Sequence, residues 1–186
     1  MKQKKIYDLA EEIRRCTSCS LWKKRMLAVP GEGKSNAKIM FIGEVPGIEE
    51  NRQGLPFVGK SGKFLDELLQ LIKLKRENIF ITNAIKCHPE NNRVLTIKEI
   101  KTCKELWLNK QIEIINPKLI VLMGNVAVRS IFGKSKVYEL HGKLIKKDYL
   151  NYFITYHPAA GIRFSKIRTE MIKDFKKLNL LKTRKL

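Results

Sequence analysis

Lys38-Ile39-Met40-Phe41-Ile42-Gly43 is a continuous apolar run of strand length. No polar residue alternates through it, so both of its faces must be covered, as in a buried parallel sheet. Gly43 to Gly62 follows, with five glycines and two prolines in twenty residues, a composition that reads as a loop and not as a regular element. From about 62 to 74 the period changes: Phe64, Leu65, Leu68, Leu69 and Ile72 recur at helical spacing. Strand, loop and helix in that order form half of a βαβ unit.

The same grammar repeats outward. Residues 6–15 read as a short amphipathic helix through Ile6, Leu9, Ala10 and Ile13, and 79–83 as a strand. Thr96-x-x-Glu99 is a capping box that opens a helix running to about 115, where Pro117 stops it. Residues 118–123 are a third strand, 125–132 a short helix with Gly133 past its end, and 152–155 the last strand. A helix over 166–179 and a basic tail close the chain. The expectation is a three-layer α/β/α sandwich around a central, mostly parallel four-stranded sheet, with residues 1–186 forming one domain.

In such a sheet, ligands bind outside the carboxyl ends of the strands. Those ends read Gly43-Glu44, Thr82-Asn83, Gly124-Asn125 and Tyr156-His157-Pro158, so Glu44, Asn83 and His157 are expected to converge. Gly31-Glu32-Gly33-Lys34-Ser35 imitates the end of a phosphate-binding P-loop. It lacks the first glycine, since Ala28 stands there, and it precedes its strand, so it reads as a plain loop.

The four cysteines fall as Cys16-x2-Cys19 and Cys87-x15-Cys103. Cys16 and Cys19 lie in the polar stretch Arg14 to Ser20, which suits ligands better than buried apolar thiols. Lysine richness and the lack of a signal core point to a cytoplasmic protein, where thiols stay reduced; a metal centre is then favoured over disulfides. Spacing alone leaves tetrahedral zinc and an iron–sulfur cluster both open. Either would staple the N-terminal helix to the middle of the fold.

Thirty-eight Lys and Arg against eighteen Asp and Glu give a formal charge of +20. Such a surface suits a polyanion, and phosphate backbones are the default partner. No apolar run approaches the ~20 residues of a membrane span.

The segment Gly43 to Gly62 resembles the first motif of the family 4 uracil-DNA glycosylases, roughly Gly-Glu-Ala/Gly-Pro-Gly-x-x-Glu-Asp followed by Gly-x-Pro-Phe-Val-Gly-x-x-Gly. Thr82-Asn83-x3-Cys87, Asn92-Arg93, Cys103 and Tyr156-His157-Pro158-Ala159-Ala160 continue the likeness in order along nearly the whole chain. The resemblance implies a 4Fe–4S cluster on Cys16, Cys19, Cys87 and Cys103. It also implies a monomer that acts on uracil-containing DNA, single- or double-stranded, with the basic termini available to a sliding clamp.

It further implies roles for the site residues. Phe57 would stack on an extruded uracil, Asn83 would read its O4/N3 edge, and His157 with backbone amides near Val45 would stabilise charge on O2. Glu50 is the candidate for orienting water or walling off the C5 position, while Glu44 and Asn92 would hold the loop by hydrogen bonds. Arg93 is assigned to loop support or DNA contact. The chain departs from the family pattern at Val45, Asn51, His88 and Gly161; with glycine where a leucine is frequent, Ile162 or Arg163 would fill the gap left by the base. A competing expectation is a non-catalytic, metal-stapled nucleic-acid binding module, which accounts for charge and cysteines but not for the converging strand ends.

Overall fold

The computed structural model describes residues 1–133 and 136–183. Their sheet has six strands, in the order β1-β3-β2-β4-β6-β5. These are β1 (Glu32–Gly33), β2 (Ile39–Gly43), β3 (Phe80–Asn83), β4 (Leu119–Met123), β5 (Leu144–Lys147) and β6 (Leu150–Thr155). The four expected strands are β3, β2, β4 and β6, and they pair in parallel. The four-stranded expectation is corrected by two antiparallel edges, β1 on β3 and β5 on β6. Neither edge carries an apolar signal: β1 is only Glu-Gly, and β5 is mostly exposed Leu-Ile-Lys-Lys. The Gly31–Ser35 stretch therefore contributes an edge strand, and a Cβ on Gly33 would come within 2.0 Å of Ile79 O.

The helices are α1 (Lys2–Arg15), α2 (Ile48–Gln53), α3 (Lys60–Leu71), α4 (Ile97–Cys103), α5 (Asn109–Ile115), α6 (Asn125–Phe132), α7 (Val137–Leu140), α8 (Pro158–Arg163) and α9 (Ser165–Thr183). Residue parity along the strands sorts them into two layers. Met40, Ile42, Ile120, Leu122 and Ile154 point toward α5 and α6, with Ile6 of α1 packed at the same face. Ile39, Phe41, Leu119, Val121 and Phe153 point the other way, onto α3 and α9. Phe41 is wholly buried with its ring 6.3 Å from that of Phe175. Truncating it to alanine would cost about 3–5 kcal/mol.

The glycine-rich loop is not irregular throughout. Ile48–Gln53 forms α2, which begins after Gly47 and ends at Gly54 in the left-handed region, φ 71°. Glu49 and Glu50 in its first turn favour the positive end of its dipole. The capping box at Thr96 forms as expected, with Thr96 Oγ1 accepting from Glu99 N and Glu99 accepting from Thr96 N. The long helix that it opens is interrupted after Cys103 by a wider π-helical stretch, Lys104–Leu108. A third apolar cluster fills the space between α1, α4 and this stretch: Leu9, Ile13, Leu21, Ile85, Ile100 and Trp107 pack around Cys87 and Cys103. The final helix extends to Thr183, and the rest of the expected basic tail, 184–186, lies outside the described residues. No helix among the described residues is long and apolar enough to cross a membrane.

Candidate functional site

Parallel strands deliver their carboxyl ends to one edge of the sheet, and there a cleft of about 220 Å³ opens. Glu44, Val45, Glu50, Phe57, Asn83 and His157 all line it, with Asn92 and Ala159 at its walls. Residues separated by more than a hundred positions in sequence are thus brought together by topology alone.

Asn83, the last residue of β3, is buried, and its Oδ1 has no hydrogen-bond partner. A buried amide oxygen without a partner costs about 1–3 kcal/mol. It lies beside Gly43, where an added Cβ would come within 2.4 Å of it and 2.5 Å of the Phe57 ring. Only glycine leaves room for both groups.

Phe57 sits at φ 53°, a conformation that a bulky residue adopts only under constraint. Arg76 supplies much of that constraint. Its guanidinium donates to the carbonyls of Pro56 and Phe57, and it is held in turn by Glu32 and Asp66. Gly62 permits the close approach, since a Cβ there would lie 1.8 Å from Phe57 O. The Phe57 ring is stacked near His157, centroids 5.7 Å apart and planes 28° apart.

His157 is the N-cap of α8, and its Nδ1 accepts a hydrogen bond from Ala159 N at 3.2 Å. A backbone amide can only donate, so the ring proton of the neutral form resides on Nε2. Burial lowers the imidazole pKa below its usual value, against the opposing pull of Glu44 and Glu50. At neutral pH the ring is therefore uncharged and carries one N–H.

Both carboxylates of the cleft brace backbone. Glu50 is buried, and its Oε1 accepts from the amides of Val58 and Gly59, each at 2.9 Å. Its Oε2 lies beside Gly47, where a Cβ would be only 2.5 Å away. Glu44 accepts from Val126 N at 2.9 Å and abuts Gly124, so it locks the turn between β4 and α6. Of the two residues expected to hold the loop by hydrogen bonds, Glu44 instead holds the β4–α6 turn, and Asn92 is an exposed left-handed residue at the rim of the cleft. Asn51 replaces the family's acid and ties α2 to the preceding segment through Met26 N and Leu27 N. His88 reaches Pro46 O at 2.8 Å.

Gly161 is buried, and a Cβ there would meet the Phe64 ring at 2.6 Å and Met171 Sδ at 2.9 Å. Close packing of α8 on α3 leaves no room for a leucine. Ile162 and Arg163, the next two residues, are exposed, as is Phe164.

The four cysteines line a second, small cavity together with Lys86 and Trp107. Among the described residues, no three His, Cys, Asp or Glu side chains lie close enough to hold a single metal ion. Trp107 Nε1 donates to Cys16 Sγ at 3.2 Å and Arg25 Nη1 to Cys87 Sγ at 3.0 Å, donors of the kind that stabilise thiolate sulfur. Burial pushes the Cys19 and Cys87 thiols up, and Cys103 to about 12. A cationic centre among them would reverse that tendency and hold them as thiolates. Arg93 binds Glu99 through both nitrogens and approaches Ser20, which fastens the Cys19–Ser20 turn to α4. The Arg93 contact holds the Glu99 carboxyl well below the usual range, at about 2.

Arg76, Arg25, Lys86 and Gln111 were not singled out from the sequence. Isolated basic residues in a chain this basic carry no local signal, although Lys86 sits inside the Asn83-x3-Cys87 motif.

Residues 30–179 match the family model described as Uracil DNA glycosylase superfamily. A protein of Sulfurisphaera tokodaii named Type-4 uracil-DNA glycosylase is 41% identical over 186 residues, covering 95% of this chain and 84% of the relative. One of that name from Archaeoglobus fulgidus is 40% identical, covering 94% and 92%. A Type-5 uracil-DNA glycosylase of Pyrobaculum aerophilum is more distant, 30% identical over 79% of this chain and 71% of its own length. On this likeness and on the strand-end cleft, the chain belongs to the uracil DNA glycosylase superfamily and, within it, to the type-4 branch.

Proposed function

We propose that the protein is a cytoplasmic, monomeric, one-domain uracil-DNA glycosylase that hydrolyses the bond between uracil and deoxyribose in DNA. The observation that carries this reading is the convergence, in one cleft, of a partnerless Asn83 amide oxygen and a neutral His157 whose free N–H is Nε2.

The target bond is inaccessible in a stacked nucleotide, so the base must leave the helix at a cost of a few kcal/mol. The basic surface retains the phosphates meanwhile. Stacking on Phe57 recovers about 1–3 kcal/mol. Asn83 Oδ1 accepts from uracil N3–H and its amide nitrogen donates to O4; cytosine presents the opposite pattern and is refused. As the bond breaks, negative charge grows on O2 and His157 Nε2–H stabilises it. The neutral ring does this without surrendering its proton.

Glu50 has one oxygen committed to the loop and a second beside the cleft, which makes it the candidate acceptor for the attacking water. Val45 offers no carboxylate at its position. Ile162 and Arg163, exposed at the end of the helix that His157 caps, fill the vacated stack and hold the backbone, and Asn92 lines the entrance. The basic termini are the surface that a sliding clamp would meet.

The residues of the second cavity fit a 4Fe–4S cluster. Four sulfurs surround one space, and Cys16, Cys87 and Cys103 receive N–H donors from Trp107, Arg25 and the Lys86 backbone, contacts of the kind that stabilise cluster thiolates. The cluster would join α1 to the segment after β3, and Cys16, Cys19, Cys87 and Cys103 would hold it.

The test is a panel of oligonucleotides containing U·G, U·A, T·G, single-stranded U and hypoxanthine, each incubated with the protein and cleaved by alkali. Strand breaks at uracil but not at thymine support the reading. No break at any uracil overturns it in favour of a binding module. The visible spectrum of the purified protein, brown or colourless, decides the cluster separately.

A further inference from the structure

Lys86 is 1% exposed, and its ammonium is saturated by three neutral acceptors: Thr82 Oγ1 at 2.7 Å, Asn83 O at 2.6 Å and Gln111 Oε1 at 2.6 Å. Three N–H donors meet three oxygens, so its hydrogen bonding is complete. Its charge is not. Among the described residues, no carboxylate lies in ion-pair range of Lys86, whereas the other fully buried ionised candidate, Asp174, meets His141. An interior cation without an anion is strongly unfavourable, and an apolar side chain of similar length would fill the same space without that cost.

An anion is available on one side only. Lys86 lines the cavity of the four cysteines, directly precedes Cys87, and its backbone hydrogen-bonds the Cys103 sulfur. Four thiolates around a 4Fe–4S core leave that centre with a net negative charge. The other side of Lys86 reaches the base-reading residue, through the carbonyl of Asn83. We propose that Lys86 is the buried counter-charge of the cysteine centre and that the same ammonium fixes Asn83, so that the centre and the uracil-reading amide share one positioning residue. This rests on the cluster reading above.

The interaction is electrostatic, so it is read from the cluster itself. Reducing the centre adds negative charge, and a nearby buried cation favours the reduced form; removing it moves the midpoint potential to more negative values. Gln111→Glu places a carboxylate on the same ammonium in nearly the same volume, and it acts in the same direction. Lys101→Met removes an equal charge two residues from Cys103, but from a side chain that is 71% exposed and screened by water.

The experiment is an EPR-monitored redox titration, with iron content, of purified wild type, Lys86→Met, Gln111→Glu and Lys101→Met. The expected result is a negative shift, or loss of iron, in the first two variants, with Lys101→Met at the wild-type value. Should Lys86→Met fail to fold, Gln111→Glu carries the test. Wild-type potential and iron in Gln111→Glu overturn the counter-charge, and iron-free wild type overturns the cluster reading instead. The Asn83 arm has its own readout: free uracil should bind Lys86→Met roughly tenfold more weakly, the worth of one hydrogen bond from a charged donor. Unchanged uracil affinity overturns that half.

Discussion

Ala159 N–H donates to His157 Nδ1 at 3.2 Å, and this one contact fixes which face of the imidazole can act. It comes from the first turn of α8, where Pro158 at N1 sets the backbone and His157 caps the helix. The tautomer is therefore a product of helix capping, and Nε2 is left as a donor toward the cleft. His157→Ala should lower the single-turnover rate by roughly 10²–10³-fold, the range for loss of an oxyanion donor, with affinity for uracil-containing DNA almost unchanged. Full recovery of the rate at saturating enzyme would show that His157 only binds DNA.

The same residue predicts an acid limb. Its folded pKa is depressed by burial, so the neutral form holds above the ordinary value of about 6.5 and persists somewhat below it. Protonation would require Nδ1 to give up the Ala159 amide. Single-turnover activity should thus be flat from neutral pH downward until below about pH 6.5 and then fall. The stability contribution has the same sign: it is present above the unfolded pKa and is lost as pH falls through the folded one. A Tm that rose on acidification through pH 6 in wild type but not in His157→Ala would contradict this.

Asn83 should carry the choice between uracil and cytosine. Asn83→Ala removes two hydrogen bonds to the base edge and is expected to slow uracil release by roughly tenfold or more, at about 1–3 kcal/mol per group left unpaired. Asn83→Asp places an acceptor where O4 needs a donor and should cripple uracil release, with slight cytosine release as the revealing gain. Single-turnover assays on U·G and C·G duplexes measure both. Near-wild-type uracil rates in Asn83→Ala would remove the residue from base reading.

How far this site could be read in the sequence differs by residue. Glu44, Asn83 and His157 were legible because they end strands whose apolar runs are unbroken, and parallel topology delivers strand ends to one edge. The role of Glu50 was not, since its oxygen is consumed by two backbone amides that only the folded loop presents. Helix α2 was hidden by the glycines and prolines around it, and β1 and β5 by their brevity and polarity. Arg76 lies about twenty residues from the carbonyls it holds, with nothing local to mark it.

The strain at Phe57 makes Arg76 a testable clamp. Arg76→Ala releases the Pro56 and Phe57 carbonyls and leaves Glu32 and Asp66 without their shared partner. The loop should then relax from φ 53° and take the ring out of stacking position. Stability is expected to fall by about 1–3 kcal/mol. Activity should fall further than stability explains at a temperature where the fold is intact, and Arg76→Lys should rescue little, because an ammonium cannot span the fork. Urea denaturation combined with single-turnover rates separates the two effects. An unchanged rate would show that Phe57 holds its place unaided.

Removing a cysteine should act on the whole fold before it acts on chemistry. Cys87 joins the segment after β3 to α1 through the third apolar cluster and receives the Arg25 guanidinium. Cys87→Ala is expected to lower solubility, Tm and DNA binding together, and to lose the brown absorbance that the proposed cluster would give. Unchanged Tm with selective loss of activity would make the centre catalytic instead of structural.

Gly161 and Ile162 make opposite predictions from adjacent positions. Gly161→Leu, which restores the residue frequent in the family, forces a side chain between Phe64 and Met171, where even a Cβ would lie at 2.6 and 2.9 Å. Overpacking of this kind costs about 1–3 kcal/mol, so Tm should fall without any gain in activity. Ile162 is 47% exposed. Ile162→Ala should leave Tm within error yet slow uracil release from duplex DNA more than from single strands, because only a duplex closes over the gap when nothing fills it. Comparing the two variants on U·G duplex and single-stranded U separates packing from gap filling. Equal slowing of Ile162→Ala on both substrates would pass the gap-filling role to Arg163.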